Sequence, residues 1–120
     1  MLKNYKELRV WQRAYQLCLD TYRATFKFPK FEMYGLTSQM RRSSVSILSN
    51  IAEGYGRKTT ADYVRSLYIS YGSLCELETQ TMLSGDLTFL NKTDLQNLIK
   101  DIADAERMLK AIIRSLETIT

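Results

Sequence analysis

The sequence predicts an all-α protein that folds as an antiparallel four-helix bundle, and three observations support this. Apolar residues recur at three- and four-residue steps along nearly all of the chain, the spacing of one helix face. Only one proline and five glycines interrupt the 120 residues, which favours long helices. No stretch alternates apolar and polar residues as a half-buried strand would. The length is that of one domain, residues 1–120.

The first predicted helix runs from about Tyr5 to Phe26 and ends before Pro29, which cannot extend it. Its largest apolar side chains follow helical spacing and are expected to face the core. They are Leu8, Trp11, Tyr15, Cys18, Tyr22 and Phe26. Lys6, Arg9 and Arg13 lie nearly opposite this stripe and form a basic ridge.

The second predicted helix covers about Leu36 to Tyr55. Met40, Ile47 and Ile51 form the centre of its apolar face, while Val45, Leu48 and Ala52 lie to one side. Gly54 and Gly56 then predict a C-terminal cap, because glycine adopts left-handed backbone angles without a steric penalty.

Two further helices complete the bundle. The third is capped by Thr59 or Thr60 and extends to about Gly85. Its expected core residues are Val64, Leu67, Tyr68, Tyr71, Leu74, Cys75 and Met82. The fourth begins at a capping box of Thr93 and Gln96 and carries two heptad series. The series are Leu95, Ile102, Leu109, Leu116 and Leu98, Ala105, Ile112, Ile119. Such repeats require neighbouring helices that pack at a shallow angle.

Charge is distributed unevenly along the chain. Residues 1–58 hold eleven Lys and Arg against four Asp and Glu, a net charge of +7, whereas residues 59–120 hold six against nine, a net charge of −3. A basic half favours an anionic partner, most commonly nucleic acid. The alternative is that it meets the acidic half of a neighbouring subunit. The candidate phosphate-binding residues are Lys6, Arg9, Arg13, Arg41, Arg42, Arg57 and Lys58.

Four aromatic residues, Phe28, Phe31, Tyr34 and Tyr55, lie among these cations. Aromatic rings beside lysine and arginine can stack on the unpaired bases of single-stranded or looped RNA. Loop aromatics more often close the end of a bundle, and this second interpretation is the expectation here.

The second helix also carries a polar face that is almost uncharged. It comprises Gln39, Ser43, Ser46 and Asn50, with Ser49 beside them and Arg42 and Glu53 at its flanks. Two interpretations stay open, a subunit interface or an internal hydrogen-bonded seam. In either case the segment around Glu76 and Glu78 is a candidate opposing surface.

Several function classes are disfavoured by composition. The chain has no histidine, so a Ser-His-Asp or Cys-His arrangement is excluded. We expect no cofactor and no metal, because the two cysteines are 57 residues apart and have no nearby ligand pair. Both cysteines lie on apolar stripes and are expected to be buried and inert. No apolar run reaches the ~18 residues that a membrane span needs. A cytoplasmic protein without catalytic activity is therefore predicted.

The segment from Gln39 to Arg57 resembles the small proteins encoded by intervening sequences of bacterial 23S ribosomal RNA genes. The residues that carry this resemblance are Gln39, Arg41, Arg42, Ser46, Ile47, Asn50, Ile51, Ala52, Glu53, Gly54 and Arg57. Met40 and Ser43 depart mildly from the family pattern. Further matches include Leu8, Val10, Trp11 and Gln12 near the start and Gly72, Ser73 and Leu74 in the third helix.

The resemblance implies properties that the residues alone do not show. It implies an up-down bundle and a homopentamer. It also implies a relation to accessory proteins of diversity-generating retroelements, which bind nucleic acid through basic surfaces as partners of a reverse transcriptase. The resulting prediction is a self-assembling bundle that binds RNA or another nucleic acid. The alternative is an oligomeric protein-interaction scaffold with no direct role in nucleic-acid binding.

Overall fold

A computed structural model describes residues 2–119, so the two ends of the predicted domain 1–120 lie outside the described residues. Four helices form the bundle: α1 (Arg9–Thr25), α2 (Leu36–Tyr55), α3 (Thr60–Asp86) and α4 (Lys92–Glu117). Short 3-10 turns at Tyr5–Glu7 and Lys30–Glu32 precede α1 and α2. The described residues contain no strand. The prediction of an all-α four-helix bundle is confirmed.

The helices pack in a closed ring, α1 on α2, α2 on α3, α3 on α4 and α4 on α1. Because the connections are short, successive helices run in opposite directions, which gives the up-down arrangement. The molecule measures 45 × 23 × 22 Å. We call the end with the α1–α2 and α3–α4 connections the upper end, and the end with the α2–α3 connection the lower end. None of the helices in residues 2–119 combines the length and apolarity that crossing a membrane requires.

The core is a continuous column of aliphatic side chains. Met40, Ile47 and Ile51 on α2 are fully buried, as their spacing predicts. From α4, the core receives Leu98, Ile102, Ala105 and Leu109, whereas Ile119 at the end of the second heptad series is exposed. The other fully buried aliphatic residues are Leu17, Leu67, Leu74 and Leu77.

The predicted core stripe of α1 is wrong for three of its aromatic residues, whereas Leu8 and Trp11 pack against the core. Tyr15, Tyr22 and Phe26 are exposed, and Phe26 retains 78% of its accessible surface. The buried residues lie on a neighbouring line of the helix and are smaller: Val10, Ala14, Leu17, Thr21, Ala24 and Thr25. The buried threonine hydroxyls donate to carbonyl oxygens one turn earlier, Thr21 to Leu17 and Thr25 to Thr21, each at 2.8 Å. Their burial therefore leaves no donor unpaired.

The α3 prediction is confirmed for Leu67 and Leu74, which are buried, and fails for three of its other residues. Tyr68, Cys75 and Met82 are exposed, which also contradicts the expectation of a buried Cys75, and Cys18 is half-buried. The residues that α3 buries beside its leucines are small and polar. They are Ser66, Ser70, Ser73, Thr81 and Ser84. Small side chains let α2 and α3 approach closely, since interaxial distance depends on the residues at the contact.

Gly54 serves this close approach and is not a cap. It lies buried within α2, and a Cβ added there would be 2.8 Å from Ser66 Cβ and 3.0 Å from Tyr63 Cδ1. Gly56 ends the helix with φ −82°, and no described glycine has a positive φ. The predicted left-handed cap is therefore wrong.

The start of α4 also differs from the prediction. Asn91 is its N-cap, and Asn91 Oδ1 accepts a hydrogen bond of 2.8 Å from the backbone N–H of Asp94. The predicted cap, Thr93, lies inside the helix. Asparagine and threonine both cap helices well, and here Asn91 occupies the N-cap position.

Candidate nucleic-acid and assembly surfaces

The lower half of the seam between α1 and α4 forms a basic groove of about 220 Å³. It is lined by Arg9, Gln12, Arg13 and Gln16 from α1 and by Met108 from α4. Lys6 joins it from the preceding turn, where its carbonyl oxygen accepts a hydrogen bond of 2.9 Å from Gln12 Nε2. No carboxylate is among the residues that line this groove. We call Lys6, Arg9 and Arg13, together with these amides, the basic groove.

The upper half of the same seam is rich in carboxylates. Asp20 Oδ1 lies 3.5 Å from Arg23 and accepts a hydrogen bond from Gln16, and Asp94 lies 3.1 Å from Lys27. Asp101 of α4 lies within hydrogen-bonding reach of Asp20. Partial burial and the adjacent Asp20 raise the pKa of the Asp101 carboxyl, while Arg13 opposes this shift. The seam between α1 and α4 is therefore cationic in its lower half, which begins at Arg13, and rich in carboxylates above it.

The raised pKa of Asp101 predicts a specific pH dependence of stability. The folded state holds this proton at pH values where the unfolded carboxyl, with its ordinary pKa of 3.8, has lost it. The free energy of unfolding should therefore fall as pH rises above 3.8 through the folded pKa, and the loss should persist at neutral pH. Asp101→Asn should remove this dependence and stabilise the protein at neutral pH by less than about 1 kcal/mol, because solvent screens this carboxyl.

Urea denaturation of both proteins across a pH series measures this effect. Glu106→Gln is the matched control. Glu106 lies on the same helix, but it forms its ion pair with Lys110, at 2.9 Å. Equal stability of wild type and Asp101→Asn at every pH would contradict the predicted pKa shift.

Arg41 is held against the upper end of α1. Its guanidinium stacks over the rings of Tyr22 and Phe26, 4.7 and 5.1 Å from their centroids. Arg41 Nε donates a hydrogen bond of 2.9 Å to Thr25 Oγ1, and its Nη2 lies 3.5 Å from the Tyr22 carbonyl oxygen. A cation near the last carbonyls of a helix stabilises its C-terminus. This geometry gives Arg41 a structural role in joining α2 to α1.

The other predicted cations lie apart from the basic groove. Arg42 is exposed and lines a groove between α2 and α3 that also contains Glu76. Arg57 forms an ion pair with Glu53 one turn earlier, and Lys58 is exposed in the α2–α3 connection. The structure thus places Arg9 and Arg13 in one groove, with the backbone of Lys6 beside it, and separates them from the remaining four residues.

The neutral polar face of α2 is turned towards α3. The hydroxyls of Ser46 and Ser73 are 2.8 Å apart, and Asn50 Nδ2 donates to the Ser46 carbonyl oxygen at 2.9 Å. Ser43 is buried in the same contact. Gln39, Arg42 and Glu53 remain exposed at its edge. Glu76 lines the adjoining groove of about 380 Å³, but Glu78 does not.

An apolar strip on the outside of α1 was not predicted. Tyr15, Leu19, Tyr22 and Phe26 are exposed along it, and Val45 of α2 is exposed as well. We call these five residues the α1 strip. One signal in the sequence could have revealed it: the apolar positions of α1 cover a wider arc than one contact of a four-helix bundle needs. A helix with so wide an apolar face exposes apolar residues that the bundle does not cover and that a partner can contact.

The four loop aromatics have different environments. Phe28 is buried and its ring centroid lies 5.7 Å from that of Phe89, so these rings close the upper end of the bundle. Tyr55 packs edge-on against Tyr63 at the lower end, with centroids 6.2 Å apart. Phe31 and Tyr34 point into solvent and are 80% and 95% exposed. The expectation of an end plug holds for Phe28 and is wrong for Phe31 and Tyr34.

The described residues hold no metal-binding group. Among residues 2–119, no three Cys, Asp or Glu side chains are grouped so that they could hold a metal ion. The grooves are shallow and open along the helix seams. Binding of an extended partner suits this shape better than enclosure of a small molecule.

The family model for the 23S rRNA-intervening sequence protein matches residues 6–111 of this chain. The chain belongs to this family. A solved structure of a protein of unknown function, from the S23 ribosomal protein family of Bacteroides thetaiotaomicron, is similar with a TM-score of 0.78. The two chains are 20% identical over 87% of this chain and 97% of that one, a similarity that shows the shared fold alone. No curated protein matches the sequence of this family member.

Proposed function

We propose that this protein is a non-catalytic, self-assembling bundle that binds RNA through its basic groove. The observation that carries the proposal is the placement of Arg9 and Arg13 in one groove whose lining residues include no carboxylate, with the backbone of Lys6 bonded to Gln12 beside them. Cations so arranged neutralise phosphates and release condensed counterions. Gln12 lies between Arg9 and Arg13, and Gln16 lies one turn beyond Arg13. Each amide has a second N–H that can donate to phosphate oxygens and a carbonyl oxygen that can accept from ribose hydroxyls.

We choose RNA as the polyanion because the amides of the groove can accept hydrogen bonds from ribose 2′-hydroxyls, which DNA lacks. We therefore test binding with a fluorescently labelled RNA hairpin, measured by anisotropy at low salt. Saturable binding of the wild-type protein is the expected result. Absence of binding at protein concentrations far above those of ordinary non-specific complexes, about 100 µM, would overturn the proposal.

We further propose that copies of the chain associate through the α1 strip. Exposed apolar side chains gain free energy when a partner covers them, at about 25 cal/mol for each Å² of apolar surface removed from water. The resemblance makes five subunits the expected number, and it makes a reverse transcriptase the expected protein partner. We place this assembly in the cytoplasm.

A charge placed in the α1 strip should disrupt the assembly. Leu19→Glu with Phe26→Glu would bury two carboxylates at the subunit contact, so light scattering should show a fall from a multiple of 14.0 kDa to the 14.0 kDa monomer. Ala103→Glu, on the exposed outer face of α4, is the control and should leave the mass unchanged. A wild-type mass of 14.0 kDa would rule out self-assembly.

The second candidate function is a protein-interaction scaffold, and the exposed α1 strip is the observation that favours it. This candidate predicts an oligomer whose mass and stability do not respond to RNA. The hairpin-binding measurement separates the two functions.

A further inference from the structure

We propose that the α1–α2 connection carries a stacking platform for unpaired RNA bases, formed by Phe31 and Tyr34. The inference rests on the proposed function and adds to it that the protein prefers single-stranded or looped RNA to continuous duplex RNA. A base in a regular duplex already has both of its faces stacked, so only an unpaired base can use these rings.

The exposure of the two rings has no explanation in the folding of one chain. Phe31 is 80% exposed and Tyr34 is 95% exposed, although Phe28 three residues earlier is buried in the core. Each ring forgoes most of the free energy that burial of an aromatic side chain supplies. Two such rings within four residues form a local aromatic surface that is available to a ligand.

The ring of Phe31 is fixed by contacts with other residues, although most of its surface is exposed. Its ring packs edge-on against Phe89, with centroids 6.0 Å apart and an interplanar angle of 77°. Phe89 packs in turn against the buried Phe28. The backbone is fixed by hydrogen bonds of 2.9 Å from Glu32 N to Pro29 O and from Gly35 N to Glu32 O. A ring fixed before binding loses little conformational entropy when a base stacks on it.

The charges around the rings suit a nucleic acid. Lys30 precedes Phe31, is exposed, and forms no ion pair with the described residues. Lys27 lies just after the end of α1, and its ammonium group contacts Asp94 but stays largely exposed. The only carboxylate within the loop, Glu32, lies over Gly35, where an added Cβ would be 2.6 Å from Glu32 Oε1. Lysines beside stacked bases would contact the phosphates that connect those bases.

A membrane surface is the main competing ligand for exposed aromatics beside lysines. Both chain neighbours of Phe31 are charged, Lys30 and Glu32. Insertion of the ring into a bilayer would carry these charges towards the hydrocarbon, which is costly. Stacking needs only one face of the ring and leaves both charges in water, so RNA is the ligand that the geometry favours.

The test compares a short single-stranded RNA with a duplex RNA of the same length, by anisotropy at one salt concentration. Phe31→Ala and Tyr34→Ala should each weaken single-strand binding about five- to hundredfold and should leave duplex binding unchanged. Tyr34→Phe should retain wild-type affinity, because the ring is kept. Met33→Ala is the matched control, an exposed side chain without a ring in the same loop, and should change neither affinity.

Each contrary outcome has a distinct meaning. If wild type binds both RNAs and the two alanine variants match it, the stacking platform is wrong and the proposed function stands. If the variants lose duplex binding equally, the rings support the fold, and the platform is also wrong. If wild type binds neither RNA, both proposals fail. Sedimentation with phosphatidylserine vesicles that depends on Phe31, without any change in single-strand binding, would overturn the platform in favour of a membrane contact.

Discussion

Replacing Arg9 and Arg13 together with glutamine should weaken RNA binding about a hundredfold while the bundle stays folded. Each guanidinium is expected to make a charge-assisted contact with phosphate worth about 1.5 kcal/mol, and two such contacts account for this factor. Glutamine preserves much of the side chain and adds no new carboxylate beside Asp101. Anisotropy titration with the RNA hairpin measures the loss, and circular dichroism checks the fold.

The matched control removes the same amount of charge elsewhere. Arg23 and Lys110 are exposed cations that pair with Asp20 and Glu106, so Arg23→Gln with Lys110→Gln lowers the net charge equally. We expect this control to lose little affinity. Equal weakening by both double variants would show that binding follows net charge, and it would contradict a defined basic groove.

Gly54→Leu should destabilise the protein by about 3 kcal/mol, the largest stability effect that we expect from one substitution. A side chain at this position meets Ser66 Cβ at 2.8 Å and the Tyr63 ring at 3.0 Å. Ser66 is buried and Tyr63 is half-buried, so neither can move aside without separating α2 from α3. Thermal unfolding at fixed protein concentration should show a fall of more than about 10 °C.

Two other glycines provide controls for this prediction. A Cβ at Gly56 would meet backbone atoms no closer than 3.5 Å, and a Cβ at Gly72 would meet nothing within 4 Å. Gly56→Ala should therefore be nearly neutral. Gly72→Ala, in the exposed interior of α3, should stabilise by about 0.5–1 kcal/mol through helix propensity. A Gly54→Leu protein as stable as wild type would mean that α2 and α3 are not in close contact.

The number of helices and the position of α2 could be predicted from the sequence because periodicity reports directly on helix formation. The core-facing side of α1 and α3 could not. Two lines of residues run along α1 with the same period, and the bundle buries the line of smaller residues, which includes Ala14, Thr21 and Thr25. Large residues are favoured in a core only if the neighbouring helix leaves room for them. The room beside α1 is set by the side chains of α2 and α4, the helices against which it packs, and no local pattern on α1 reveals it.

The candidate sites likewise divide into those that local spacing predicts and those that depend on long-range packing. Lys6, Arg9 and Arg13 were predicted together because helical spacing places them on one side of α1. Arg41 and Arg42 are neighbours in sequence but face different surroundings, Arg41 the end of α1 and Arg42 the groove beside Glu76. The edge-on contact of Phe31 with Phe89 joins two residues far apart in sequence, and neither local pattern predicts it. Such long-range packing requires the structure.

The most direct test of the central claim is the affinity of the wild-type protein for the RNA hairpin as a function of salt. If Lys6, Arg9 and Arg13 contact phosphates, the logarithm of the association constant should fall linearly with the logarithm of salt concentration, with a slope of about −2 or steeper. The Arg9→Gln, Arg13→Gln protein should give a shallower line, by about one unit of slope for each lost contact. A wild-type affinity that stays constant between about 50 and 200 mM salt would contradict phosphate recognition by the basic groove.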